Sequence, residues 1–139
     1  MNTQMGRIMM AAVLISIAIA APSLLAQTTR MSATIPFDFY VSDQLLPAGT
    51  YIVVPEARAD VVRLYDSRGN SVFVMTRGQS DNKAVNYSRL VFHKYGDTAF
   101  LASIYWEGYR TGRNLPSSSM EKKIADKGTP TPVAVQLKK

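Results

Sequence analysis

The sequence predicts an all-β fold, an antiparallel β-sandwich or partly closed barrel of about six or seven strands with one short C-terminal helix. Two observations support this prediction. Several segments rich in β-branched and aromatic residues alternate between apolar and polar positions, as half-buried strands do. Glycine, proline and asparagine separate these segments at the spacing typical of sandwiches and barrels.

The first predicted strand covers residues 33–41, in which every odd position is apolar. Pro36 has no backbone N–H, so we expect an edge strand or a bulge at that point. Pro47 and Gly49 then indicate a turn, and a short β-branched strand follows at residues 51–54.

A hairpin is predicted next, with strands at residues 61–65 and 71–76 around a glycine-containing loop. Residues 78–87 are polar and lack an apolar period, which predicts the longest loop between strands. Residues 107–116 contain two glycines and also predict a loop.

A second hairpin at residues 89–106 contains the only histidine and the only tryptophan of the chain. Gly96 followed by Asp97 is the order that a type II′ turn requires, and this turn sets His93 opposite Phe100. Both faces of the hairpin are then largely apolar, which predicts a central position between two covering layers. One predicted face carries Leu90, Phe92, Ala99 and Leu101, and the other carries Val91, His93, Phe100, Ala102, Ile104 and Trp106.

The short helix is predicted at about residues 118–127, because Ser118 and Glu121 have the spacing of a capping box and Gly128 can end a helix. Residues 132–137 alternate weakly and suggest a last strand. Arg110 and Arg113 precede the helix and could hold an anion together with its first amides. The alternative is that Ser118 already fills the helix N-terminus and both arginines are solvated.

The N-terminal residues have the order of a secretory signal peptide. A short segment with Arg7 precedes an apolar run at residues 8–21, and Pro22 follows. We expect cleavage after Ala26, with cleavage after Ser23 as the alternative. The apolar run is shorter than the roughly 20 residues that cross a bilayer. We therefore expect a periplasmic or extracellular protein with no membrane span after cleavage, and a single β-rich domain at residues 27–139.

The composition excludes several kinds of site and makes some partners less favoured. The chain has 139 residues, a net charge of +6 and no cysteine, which excludes disulfides, zinc–thiolate sites and cysteine nucleophiles. The basic residues are scattered, so neither a nucleic-acid partner nor a strongly anionic one is favoured. We predict no cofactor and no metal site.

His93 is the one residue that suggests catalysis. A general base needs an orienting acid and a reacting group within reach, and Asp38, Asp66 and Asp97 are the candidate acids. As a metal ligand, His93 has no second histidine or cysteine beside it. We favour a strand histidine packed against Phe100 with a ring nitrogen hydrogen-bonded to a backbone group, and we predict no catalytic residue.

Aromatic and basic residues follow the second hairpin and form the candidate ligand-binding surface. Flat aromatic faces near a loop can stack on sugars or bases. The alternative is that these aromatic residues belong to the core and its rim. The candidate residues are Trp106, Tyr105, Tyr109, Arg110, Arg113 and Asn114.

Two stretches carry a family resemblance. "ATIPFDFYVSDQLLPAGTYIV" at residues 33–53 and "RLVFHKYGDTAFLASIYWEGYRTGRNLPSSSMEKKIA" at residues 89–125 resemble a family of small exported acidobacterial proteins of unassigned function. The resemblance implies export and a shared β fold, and it implies no activity. "LPAGTYIV" is also similar to segments of transthyretin-like and immunoglobulin-like sandwich domains.

Three functions are compatible with these observations. The one we favour is an exported, non-catalytic module of the cell envelope that binds a glycan or another exported protein. The second is a structural protein that self-assembles through a free sheet edge, either the Pro36 strand or the C-terminal tail. The third is a small secreted hydrolase or lyase that uses His93 with a carboxylate.

Overall fold

The computed structural model describes residues 30–58 and 60–139, and the predicted signal peptide lies outside them. Within these residues the chain forms eleven strands and one short helix. The elements are β1 (Met31–Ile35), β2 (Phe39–Val41), β3 (Gln44–Leu46), β4 (Gly49–Pro55), β5 (Val61–Asp66), β6 (Ser71–Met75), β7 (Arg77–Ser80), β8 (Arg89–Tyr95), β9 (Thr98–Tyr105), β10 (Thr111–Asn114), α1 (Ser119–Ala125) and β11 (Thr131–Gln136).

The strands form two sheets that are not closed into a barrel, which confirms the all-β prediction as a sandwich. The small sheet has the order β1-β4-β5-β6, and the large sheet has the order β11-β8-β9-β10-β7. β2 extends the large sheet by pairing with β3 and, in parallel, with β9 at Tyr40 and Phe100. All other pairs are antiparallel.

The core fills the space between the two sheets, because each strand directs alternate side chains inward. Phe92 of β8 is fully buried, and its ring meets Phe37 and Phe39 edge-on, with centroids 5.1 and 5.4 Å apart. The other buried members of this core are Met31, Ala33, Ile35, Val41, Tyr51, Val53, Val62, Leu64, Val74, Leu90, Ala99, Leu101, Ile104, Leu115 and Leu137.

β1 lies at an edge of the small sheet, as the sequence predicts from Pro36, but the strand ends before Pro36 instead of continuing through a bulge. β1 stops at Ile35 and β2 begins at Phe39, and the odd positions of both strands are buried. The predicted continuous strand at 33–41 is therefore two strands in different sheets. The bend lets one alternating segment supply inward-facing residues to both layers.

The second hairpin keeps its predicted register near the turn and loses it further away. His93 lies opposite Phe100, and Gly96 has φ +62° at the first turn position, as a type II′ turn needs. Phe92 pairs with Leu101 but Val91 pairs with Ser103, so Ala102 is an extra residue on β9. This bulge reverses the side-chain alternation beyond it.

Because of this bulge, two residues of the hairpin lie on the opposite face from the one predicted. Ile104 belongs to the core between the sheets, and Trp106 packs against that core. Both residues were predicted on the face of His93 and Phe100, and the prediction is wrong because it assumed an unbroken period of two. The change of face brings Trp106 into the space between the layers.

Two strands replace parts of the predicted loops. β7 lies in the segment predicted as a loop at 78–87, and β10 lies in the predicted loop at 107–116. These strands pair with each other from Thr111–Ser80 to Asn114–Arg77. Both are short and polar, so neither has the apolar alternation by which strands are recognised.

The predicted helix is confirmed as α1, a seven-residue helix. The Ser118 hydroxyl accepts a hydrogen bond from the Glu121 backbone N–H at 3.1 Å, as an N-cap does. The predicted C-terminal strand is confirmed as β11, which pairs with β8. In the part of the chain that the structure describes, no helix is long and apolar enough to cross a membrane.

Candidate functional site

A cleft of about 630 Å³ opens at one end of the sandwich, between the two sheets. The small sheet supplies Met31, Pro55 and Val62 to its wall, and the large sheet supplies Thr111 and Arg113. This volume lies in the range of about 300–1,000 Å³ typical of small-molecule sites. The remaining lining residues are Glu56, Ser88, Trp106, Glu107, Tyr109 and Lys139.

Trp106 is the largest side chain of the cleft. The bulge in β9 turns it inward, where it packs against the core. Its indole Nε1 is buried and has no hydrogen-bond acceptor among residues 30–58 and 60–139. Buried N–H groups usually find an acceptor in a protein, in ordered water or in a ligand.

A tight turn positions Tyr109 across the mouth of the cleft. Gly108 adopts φ +81°, and the Tyr109 N–H donates to the Trp106 carbonyl at 3.2 Å. The turn leaves Tyr109 67% exposed. The Glu107 N–H donates to the buried Ser88 hydroxyl at 2.8 Å, which fixes the start of the turn on the large sheet.

The charged groups of the cleft are balanced. The lining contains two acidic residues, Glu56 and Glu107, and two basic ones, Arg113 and Lys139. The Glu56 carboxylate also lies 2.9 Å from the Arg63 guanidinium Nε. A site with both signs of charge and two aromatic side chains can bind a ligand that has many polar groups but little net charge.

The pleat of the sheet divides the predicted binding residues between two surfaces. Trp106, Tyr109 and Arg113 line the cleft, whereas their neighbours Tyr105 and Asn114 lie on the outer face of the large sheet. Successive strand residues point to opposite faces, so one surface cannot hold both sets.

The residues on the outer face, Tyr105 and Asn114, contact other residues of the large sheet and its neighbours. The Tyr105 ring covers Gly112, where an added Cβ would lie 2.5 Å from the ring. The Arg89 guanidinium lies over the same ring, with its Cζ 4.7 Å from the centroid. Asn114 is hydrogen-bonded to Gln79. Arg110 is exposed, and its carbonyl accepts from the Asp81 N–H at 2.7 Å.

At the N-terminus of α1, the structure has the arrangement that the sequence offered as the alternative to an anion site. Ser118 already caps the first turn of α1, and the Ser119 hydroxyl lies 3.5 Å from the Asp43 carboxylate. Arg113 lines the cleft instead.

His93 contacts the carboxylate of Glu121, a residue that the sequence predicted to take part in the capping box of the helix. Its Nδ1 lies 3.0 Å from Glu121 Oε1, and the Tyr95 hydroxyl donates to the same oxygen at 3.4 Å. The predicted backbone partner of His93 is therefore wrong. The predicted capping box is also half formed, because the Glu121 side chain is hydrogen-bonded to the sheet.

The three residues join α1 to the outer face of the large sheet. Glu121 is only 5% exposed, whereas the His93 side chain is 39% exposed. Burial and, after it, the Glu121 carboxylate raise the pKa of Tyr95 above its ordinary value of 10.0. The contact holds the helix over the strand pair that the sequence predicted to need a second covering layer.

Among the described residues, no group of three or more carboxylate or imidazole side chains is placed to hold a metal ion. Comparisons with protein-family models, curated proteins and solved structures return no match. The candidate site is therefore defined by its own geometry: a cleft lined by Trp106, Tyr109 and Arg113.

Proposed function

We propose that the chain is an exported, non-catalytic binding module of the cell envelope and that the cleft holds its ligand. The observation that carries this proposal is the cleft of about 630 Å³ between the two sheets, with Trp106, Tyr109 and Arg113 in its lining. An envelope glycan is the ligand class that suits the lining best. Its C–H groups can stack on aromatic faces, and its hydroxyls can meet the Glu and Arg side chains.

The proposal predicts that soluble peptidoglycan fragments bind and that cleft variants lose affinity. Tyr109→Ala removes an exposed ring, and Trp106→Phe reduces the aromatic surface of the cleft wall. We expect each variant to weaken binding about tenfold or more, the equivalent of one lost hydrogen bond or stacking contact. Isothermal titration calorimetry measures the effect.

Tyr105→Leu is the matched control, because Tyr105 neighbours Trp106 but lies on the opposite face of β9. Its affinity should equal that of the wild type. Unchanged affinity in both cleft variants, or an equal loss in the Tyr105 variant, would count against the cleft as the binding site.

Export rests on the order of charged, apolar and cleavage segments in residues 1–26. Expression of the full chain in a Gram-negative host should give a periplasmic protein that begins at Gln27. N-terminal sequencing and intact mass measure the result. A folded chain that retains Met1 and stays in the cytoplasmic fraction would contradict export.

A hydrolase or lyase is the second candidate, and the 3.0 Å contact between His93 and Glu121 favours it. A carboxylate can orient a histidine that acts as a general base. Among the described residues, no hydroxyl that could serve as a nucleophile is hydrogen-bonded to the His93 ring, whose partner is Glu121. A screen of ester and glycoside substrates distinguishes the candidates: catalysis requires a turnover that His93→Ala abolishes.

A further inference from the structure

β6 is a free edge of the small sheet without the features that usually protect such edges. Among the described strands it pairs only with β5. Its five residues, Ser-Val-Phe-Val-Met, contain no charge and no proline. Phe73 and Met75 are 63% and 65% exposed. Natural edge strands usually carry lysine, proline or a bulge, because an unprotected edge pairs with other chains.

The other edges in the described part of the chain differ from β6. β1 and the C-terminal tail, which belong to the edges predicted to self-assemble, are bonded to each other through an isolated bridge between Ser32 and Lys138, two residues beyond β11. The Ser32 N–H donates to the Lys138 carbonyl at 2.7 Å, and the Lys138 N–H donates to the Ser32 carbonyl at 2.8 Å. β7 is exposed along its whole length and contains Arg77, Gly78 and Gln79. β3 is also a free edge and pairs only with β2, but it has just three residues, and very short edge strands resist pairing with other chains. Among the described edges, β6 alone combines five uncharged residues with two exposed large apolar side chains.

The hydrogen bonds at the two ends of β6 show which of its backbone groups are free. The Asp66 N–H donates to the Asn70 carbonyl, and the Thr76 N–H donates to the Asp60 carbonyl. Both contacts place even-numbered residues of this segment on the β5 side. Since backbone direction alternates along a strand, the N–H and C=O groups of Ser71, Phe73 and Met75 point away from β5.

We propose that β6 pairs with β6 of a second copy of this chain, in antiparallel fashion about a twofold axis at Phe73. The two small sheets would then form one continuous sheet. Ser71 lies opposite Met75 of the second copy, and the two Phe73 residues face each other. These are the three outward-directed residues, so each opposed pair exchanges two backbone hydrogen bonds. The interface is self-complementary, as a twofold dimer requires.

The test is the mass of the purified mature chain across a concentration series, measured by sedimentation equilibrium. The wild type should form a dimer. Phe73→Lys places two like charges at the twofold axis and should raise the dissociation constant of the dimer at least tenfold. Thr50→Lys is the matched control, because Thr50 is exposed on β4, an interior strand of the same sheet, and its dimer should persist. A wild-type monomer at every concentration, or a Phe73→Lys dimer of unchanged affinity, would overturn the proposal.

Hydrogen exchange of backbone amides gives a second readout that does not depend on a variant. The amides of Ser71, Phe73 and Met75 should exchange more slowly as the protein concentration rises. The amides of Val72 and Val74 already face β5 and should not change with concentration. Fast exchange at the three outward residues in a dimeric sample would assign the dimer to another surface and overturn the proposal.

Discussion

Replacement of Phe92 by alanine is expected to lower the free energy of unfolding by about 3–5 kcal/mol. Phe92 is fully buried, and the rings of Phe37 and Phe39 meet it edge-on from β2 and the bend before it. Its removal loses the transfer free energy of the ring and leaves a cavity that neighbouring strands cannot fill without moving. Because small domains are stable by only about 5–15 kcal/mol, this loss is a large fraction of the total stability.

Phe73→Ala is the matched control, since it makes the same substitution on a strand at an exposed position. At a concentration where the chain is monomeric, its stability should lie within about 0.5 kcal/mol of the wild type. Urea denaturation followed by circular dichroism measures both variants. Equal losses for the two phenylalanines would contradict the assignment of Phe92 to the core between the sheets.

Replacement of Glu121 by alanine is expected to cost about 1–3 kcal/mol, the range for leaving buried polar partners unsatisfied. The carboxylate accepts from Tyr95 and contacts His93, and both partners lie on the sheet under α1. Lys122→Ala, on an exposed position of the same helix, should change stability little. The loss should be non-additive with His93→Ala, because the two residues share one contact.

The pKa of Tyr95 tests the contact with the Glu121 carboxylate separately from the stability of the helix. Glu121→Gln keeps the size of the side chain and an acceptor oxygen but removes the charge, so it should lower the Tyr95 pKa toward its ordinary value. In the wild type the raised pKa means that the folded state holds the phenol proton more tightly. The associated stability is complete below pH 10.0 and is lost as the pH rises beyond it. NMR titration of the ring carbons at alkaline pH measures both effects.

The sequence predicted an all-β fold, a sandwich or a partly closed barrel, because the signals for its strands and turns are local. Alternation in 33–41 and 61–76 and the turn at Gly96 depend on neighbouring residues, and the register next to that turn is confirmed. The register further along β9 depends on the bulge at Ala102, which has no glycine or proline to mark it. The prediction therefore assigned Ile104 and Trp106 to the wrong face.

The candidate site could be predicted only in part, because its geometry depends on contacts distant in sequence. The aromatic and basic residues after the hairpin were identified, but their division between cleft and outer face follows from the bulge in β9 and from the pairing of β9 with β10, a polar strand without an apolar period. Glu121 is separated from His93 by 28 residues. A glutamate three residues after a helix cap has a local partner in the capping box, so sequence alone favoured the wrong contact.

The most direct test of the cleft is the indole N–H signal of Trp106 in a two-dimensional NMR spectrum. Trp106 is the only tryptophan, so the signal needs no assignment. On addition of soluble peptidoglycan fragments, this signal should shift with the same apparent affinity as the amides of Tyr109 and Arg113, because all three line one cleft. An unchanged indole signal at saturation, with shifts confined to the outer face around Tyr105, would contradict binding between the sheets.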